Sequence, residues 1–76
     1  MPNGVYNWTF NDAVAVLKEN GFKLNHTKGS HFYYTGHYGN VLRQVCVPKH
    51  GNIALKPRTL KGIIAQSGLP KEKWGI

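Results

Sequence analysis

The stretch Lys28-Gly29-Ser30-His31-Phe32-Tyr33-Tyr34 decides how this chain is to be read. A base, a glycine, a hydroxyl and an imidazole run straight into aromatic residues of high β propensity. Gly29 has no Cβ and tolerates a positive φ, so the chain can reverse there and present Ser30 and His31 as a strand begins. Alternation along that strand, expected over residues 31–35, sends Phe32 and Tyr34 to a core. It leaves His31, Tyr33 and Thr35 together on the open face. Imidazole, with a reference pKa near ~6.5, both takes and gives protons at neutral pH, so a histidine held there can serve as a proton carrier. A solvated polar residue at a strand start fits the same local pattern.

Upstream, residues 22–27 read as a first strand in which Phe22, Leu24 and His26 alternate with polar neighbours and one face turns inward. Before it lies a helix. Thr9 is its N-cap, Asp12 three residues later is a short version of the capping-box acid, and Phe10, Ala13, Val14 and Leu17 recur at helical spacing. Asn20-Gly21 ends it, with Gly21 suited to the left-handed position beyond the cap. Residues 1–8 form an irregular lead whose Tyr6 and Trp8 rings are placed to lap onto this helix.

Downstream, Gly36-His37-Tyr38-Gly39-Asn40 reads as a loop too glycine-rich and polar to pack. A third strand over residues 41–47 is stopped by Pro48, which has no N–H to continue a ladder. Within it the lone Cys46 reads as buried packing, and a single cysteine forms no internal disulfide. Lys49-His50-Gly51-Asn52 makes another turn. A second helix starts at Pro57, carries Leu60, Ile63, Ile64 and Ser67 on one face and is capped by Gly68. Gly62 inside it costs about 1 kcal/mol relative to Ala, which leaves open whether a close neighbour requires it. In the tail, residues 70–76, Trp74 is either docked or free.

Seventy-six residues make one domain, and a chain of that size buries only about 60% of the surface its unfolded form exposes. With 41% hydrophobic and 12% aromatic residues the chain can still pack a core. Ten Lys and Arg against three Asp and Glu give a formal charge of +7, which points to a polyanionic partner. No apolar run approaches the ~20 residues of a membrane span, and Met1-Pro2-Asn3-Gly4 lacks the features of a signal peptide, so the expected location is the cytoplasm. The acids are only Asp12, Glu19 and Glu72, and no metal-ligand spacing is visible, so neither metal nor cofactor is expected. Lys56, Arg58 and Lys61 cluster at the start of the second helix, where unpaired N–H groups and the positive dipole end suit phosphate.

Helix, three antiparallel strands, helix is the order of an α+β, double-stranded RNA-binding-domain-like fold, with a three-stranded sheet and both helices on one face. Fold alone assigns no function. The short motifs Gly21-Phe22, Lys28-Gly29-Ser30-His31, Val45-Cys46-Val47-Pro48, His50-Gly51-Asn52, Leu55-Lys56-Pro57, Thr59-Leu60 and Ser67-Gly68-Leu69 go further. In this order, spanning residues 10–69, they resemble the HicA (YcfA-like) family of small bacterial toxins. The resemblance implies a messenger RNA interferase in which His31 after Gly29-Ser30 is the catalytic histidine, neutralised by a HicB-type antitoxin. The lead is longer than in many members, and residues 36–40 differ from the more common His-Pro-Gly connection.

With no metal-ligand spacing visible, a two-metal nuclease is not expected and a metal-free route remains. A neutral His31 removes the proton of a ribose 2′-hydroxyl, and the oxygen attacks the adjacent phosphorus, which demands RNA rather than DNA. Lys28 is the first candidate to stabilise the phosphoryl oxygens, and Ser30 is a candidate to contact phosphate or orient His31. The other histidines, His26, His37 and His50, carry no assigned role. A non-catalytic RNA-binding module, or an adaptor docking an acidic protein, is the competing reading of the same charge and fold.

Overall fold

The computed structural model describes residues 4–76, so the first three residues of the expected lead lie outside it. Helix α1 spans Phe10–Glu19, strands β1, β2 and β3 span Lys23–Lys28, His31–Tyr38 and Val41–Pro48, and helix α2 spans Pro57–Ser67. A short 3-10 turn, Lys71–Trp74, follows. The sheet is antiparallel in the order β1-β2-β3, which is the α+β, double-stranded RNA-binding-like arrangement.

The helix ends follow from local chemistry. The Thr9 N–H donates to Asp12 Oδ2 at 2.9 Å while the Asp12 N–H donates to Thr9 Oγ1 at 3.3 Å, a reciprocal capping box. At the other end Gly21 sits at φ +88°, and the Phe22 and Gly21 N–H groups donate back to the Leu17 and Lys18 carbonyls. That pair of bonds is a Schellman motif, and it delivers Phe22 into the core at the mouth of β1. α2 starts with Pro57 in its first turn and stops at Gly68, whose φ of +71° lies in the left-handed region that favours glycine. A side chain at Gly68 would also collide with the Arg43 guanidinium laid across it. Around Gly62 a β-carbon would meet open space, so no close approach requires that glycine.

The core lies between the helices and one face of the sheet. Ala13, Val16 and Leu17 of α1, Leu60 and Ile63 of α2, and Tyr34, Val45 and Val47 of the sheet are buried there. Each fully buried Val, Leu or Ile side chain contributes roughly 1.5–3 kcal/mol relative to exposure. Trp8 and Trp74 close one side of this core, both essentially inaccessible, with ring centroids 5.7 Å apart. The tail is therefore docked, whereas Tyr6 of the lead stays exposed. Gln66 of α2 accepts the Cys46 N–H at 2.9 Å and so satisfies one outward-facing donor of edge strand β3.

Three expectations are corrected. β1 has no inward face of Phe22, Leu24 and His26: a bulge at position 25 shifts the register, pairing Leu24 with Tyr34 on the core side and His26 with Tyr33 on the open side. Residues 36–38 are strand, not loop. Gly36 is buried against Phe22, and β2 continues to Tyr38 before a two-residue turn in which Gly39 and Asn40 both have positive φ. Two left-handed residues match the twist of the flanking strands, so the hairpin closes in the shortest way. Finally, Cys46 is not core packing: it is half-buried, opposite Tyr33, because burial of Val45 and Val47 turns the residue between them to the other face.

Candidate functional site

Gly29 and Ser30 are the two residues between β1 and β2, and Gly29 takes φ +58°. A glycine of positive φ at the first central position, followed by a residue of negative φ, is the sign pattern of a type II′ hairpin turn. This turn pairs Lys28 with His31 across the strands, and on its other side His31 pairs with Pro48 of β3. The Lys49 N–H donates to the Ser30 carbonyl at 2.8 Å, carrying the β2–β3 ladder one step past His31 into the turn. His31 thus stands on the central strand, its backbone held on both sides and its side chain exposed.

Cross-strand partners share a face, so the register composes the open face directly. Beside His31, Tyr33, Thr35 and His37 of β2 it holds Lys23, His26 and Lys28 from β1. From β3 it holds Leu42, Gln44, Cys46 and Pro48. None of the chain's three carboxylates is among them: Asp12 is in the cap of α1, Glu19 ends α1, and Glu72 is in the tail turn. Tyr33 and His26 stack with centroids 4.5 Å apart and planes 9° from parallel. The Tyr33 phenol is pushed above its ordinary value, first by the charge of a Cys46 thiolate, then by burial and a hydrogen bond to that sulfur. It therefore stays protonated and uncharged at neutral pH.

At the end of the sheet near His31, a cleft of about 350 Å³ is lined by Pro48, His50, Ile53, Ala54, Lys56 and Thr59, among others. It connects the β3 end, whose Pro48 faces His31, with the start of α2. There the N-cap Lys56 makes no side-chain capping bond and the first turn carries no acid, so the helix end keeps its free donors and positive field.

The candidates therefore separate into groups. Lys28, Gly29 and Ser30 adjoin His31 directly, and Lys56 reaches that end of the molecule through the cleft. Arg58 is exposed in the first turn of α2. Lys61 lies on a different groove, with Ile64, Leu69, Lys71 and Ile76, between α2 and the tail.

Two features escaped the sequence reading. Lys49 places its ammonium 5.3 Å from the Phe10 ring centroid and 5.5 Å from that of Phe32, a cation–π lid on the core directly behind the His31 turn. The His26–Tyr33 stack was hidden by the bulge, which no local signal announced. The exposure of Cys46, by contrast, was available from alternation applied through Val45-Cys46-Val47.

Among the described residues no group of three or more His, Cys, Asp and Glu side chains is arranged to hold a metal ion. Among them, too, no helix is long and apolar enough to cross a membrane. Compared with known protein families, residues 10–69 match the family described as HicA toxin of bacterial toxin-antitoxin. No curated protein matches the chain. The matched span runs from the first residue of α1 to the residue after Gly68 and contains every candidate residue named above.

Proposed function

Since this chain belongs to the HicA toxin family, and is the toxin of a toxin–antitoxin pair, we propose that it is a metal-independent endoribonuclease that cleaves messenger RNA with His31 as general base. It acts as a single domain in the cytoplasm and is neutralised by a HicB-type antitoxin. The observation that carries the reading is an exposed His31 held between Lys28 and Pro48 on a sheet face that bears cations and no carboxylate.

In this route His31 removes the ribose 2′-proton as the 2′-oxygen bonds to phosphorus. The bond from phosphorus to the 5′-oxygen breaks, and that oxygen takes a proton from solvent at the open face. The products are a 2′,3′-cyclic phosphate and a 5′-hydroxyl. Lys28 and the Gly29-Ser30 turn lie where charge builds on the phosphoryl oxygens, and stabilisation there lowers the barrier because it grows as the transition state forms. Lys56 and Arg58, at the start of α2, hold flanking phosphates without reading sequence.

His31→Ala should abolish RNA cleavage and growth inhibition while leaving the unfolding free energy within about 0.5 kcal/mol of the wild type, because an exposed side chain adds little to stability. Cleavage should persist in excess chelator and stop when the scissile ribose is 2′-deoxy. Cleavage by the His31→Ala protein would sink the assignment. RNA that is bound but never cut by the wild type would favour the non-catalytic RNA-binding module instead.

A further inference from the structure

The bulge in β1 has a consequence for the open face. It turns His26 away from the core side and lays its ring flat against Tyr33, at 4.5 Å and 9°. β1 is an edge strand, with no further strand beyond it among the described residues. With one face of the imidazole covered by Tyr33 on the β2 side, its other face looks outward to solvent, and His26 is exposed. Tyr33 is half-buried on the central strand, between His26 on one side and Cys46 on the other, so it is the more enclosed member of the pair. Lys28, two residues along β1, and His31, two residues along β2, are on the same face at the same end.

We propose that the outer face of His26 is a stacking platform for one unpaired base of the RNA strand that His31 cuts, with Tyr33 as the positioning residue that holds the platform flat. The inference rests on the ribonuclease reading above. A flat ring offers its π-face to any base, and the adjoining Lys28 and Lys23 draw in the backbone on either side. The site thus takes single-stranded RNA with a splayed base, since a paired base has no free face to offer. It supplies grip on the nucleotide beside the scissile one rather than proton transfer. The ring also has to be flat and anchored to be useful: Tyr33 and the bulge provide both.

The test compares two probes of equal length, a 2′-O-methyl single-stranded RNA of mixed sequence and the same 2′-O-methyl backbone with abasic sites throughout. Neither can be cut. Wild type should bind the base-bearing strand about ten-fold more tightly, the measure of one base–aromatic stack. His26→Ala should bind both strands alike, at the affinity of the abasic one, and His26→Phe should restore the preference. Tyr33→Leu should reduce it while Tyr33→Phe keeps it. If His26→Ala weakens both strands equally, the residue acts through charge and the platform is refuted; an unchanged preference in His26→Ala refutes it as well. Failure of the underlying reading looks different: cleavage of unmodified RNA would survive His31→Ala, whatever His26→Ala does to the two probes.

Discussion

Gly36 occupies a place where no side chain fits. A β-carbon there would stand 2.8 Å from Phe22 Cγ and 3.0 Å from the Phe22 Cα, and the backbone cannot yield as a flexible side chain would. The close approach is what lets Phe22 cover β2 as the chain leaves α1. Gly36→Ala should therefore destabilise the fold by about 1–3 kcal/mol, the range for overpacking a core. Urea denaturation would register it as a lower midpoint with an unchanged slope. An unaltered midpoint would mean that Phe22 has room to move aside.

α2 carries two different surfaces, and its charges divide between them. Lys56 borders the cleft that reaches Pro48, beside the free N–H groups of the first turn, and Arg58 follows in that turn. Lys61 lies on the groove shared with the tail. Phosphate bound at the helix start releases counterions, so the logarithm of affinity falls with the logarithm of salt by about 0.7 per contact on a single strand. Lys56→Ala and Arg58→Ala should each lower that slope by roughly 0.7 and weaken RNA binding alike for all sequences. Lys61→Ala should leave the slope unchanged. The measurement is binding of a non-cleavable RNA over a salt series, and an unchanged slope in Lys56→Ala would place the RNA elsewhere.

Over the whole molecule, two tryptophans tie the ends of the chain to one core. The Trp8 indole N–H donates to the Gly4 carbonyl at 2.8 Å, and the Trp8 carbonyl accepts the Leu55 N–H. Trp74, 1% exposed, stacks obliquely on Trp8, but its own indole N–H has no acceptor among the described residues. A domain this small has few other large side chains to bury, so each counts heavily against a typical stability of about 5–15 kcal/mol. Trp74→Ala should cost about 3–5 kcal/mol. Trp74→Phe should cost less than Trp8→Phe, because only the latter gives up a hydrogen bond made by the indole N–H. Thermal or urea unfolding decides between them, and equal costs would show that ring volume alone matters.

The sequence by itself determined the features whose cause lies within a few residues. Thr9 and Asp12 cap one another, Gly21 and Gly68 take the backbone angles that end their helices, and Gly29-Ser30 turns the chain onto His31. Each works through its own dihedral freedom or a bond spanning three to five residues, so the element order and the exposed His31 were legible without a partner strand. The tertiary structure decided which way side chains face once strands pair. The bulge in β1 moved His26 to the open face, packing against Phe22 drew Gly36 into β2, and Trp8 docked Trp74. In a strand, one extra residue reverses every side chain beyond it, and whether that residue is accommodated depends on what lies across the sheet and beneath it.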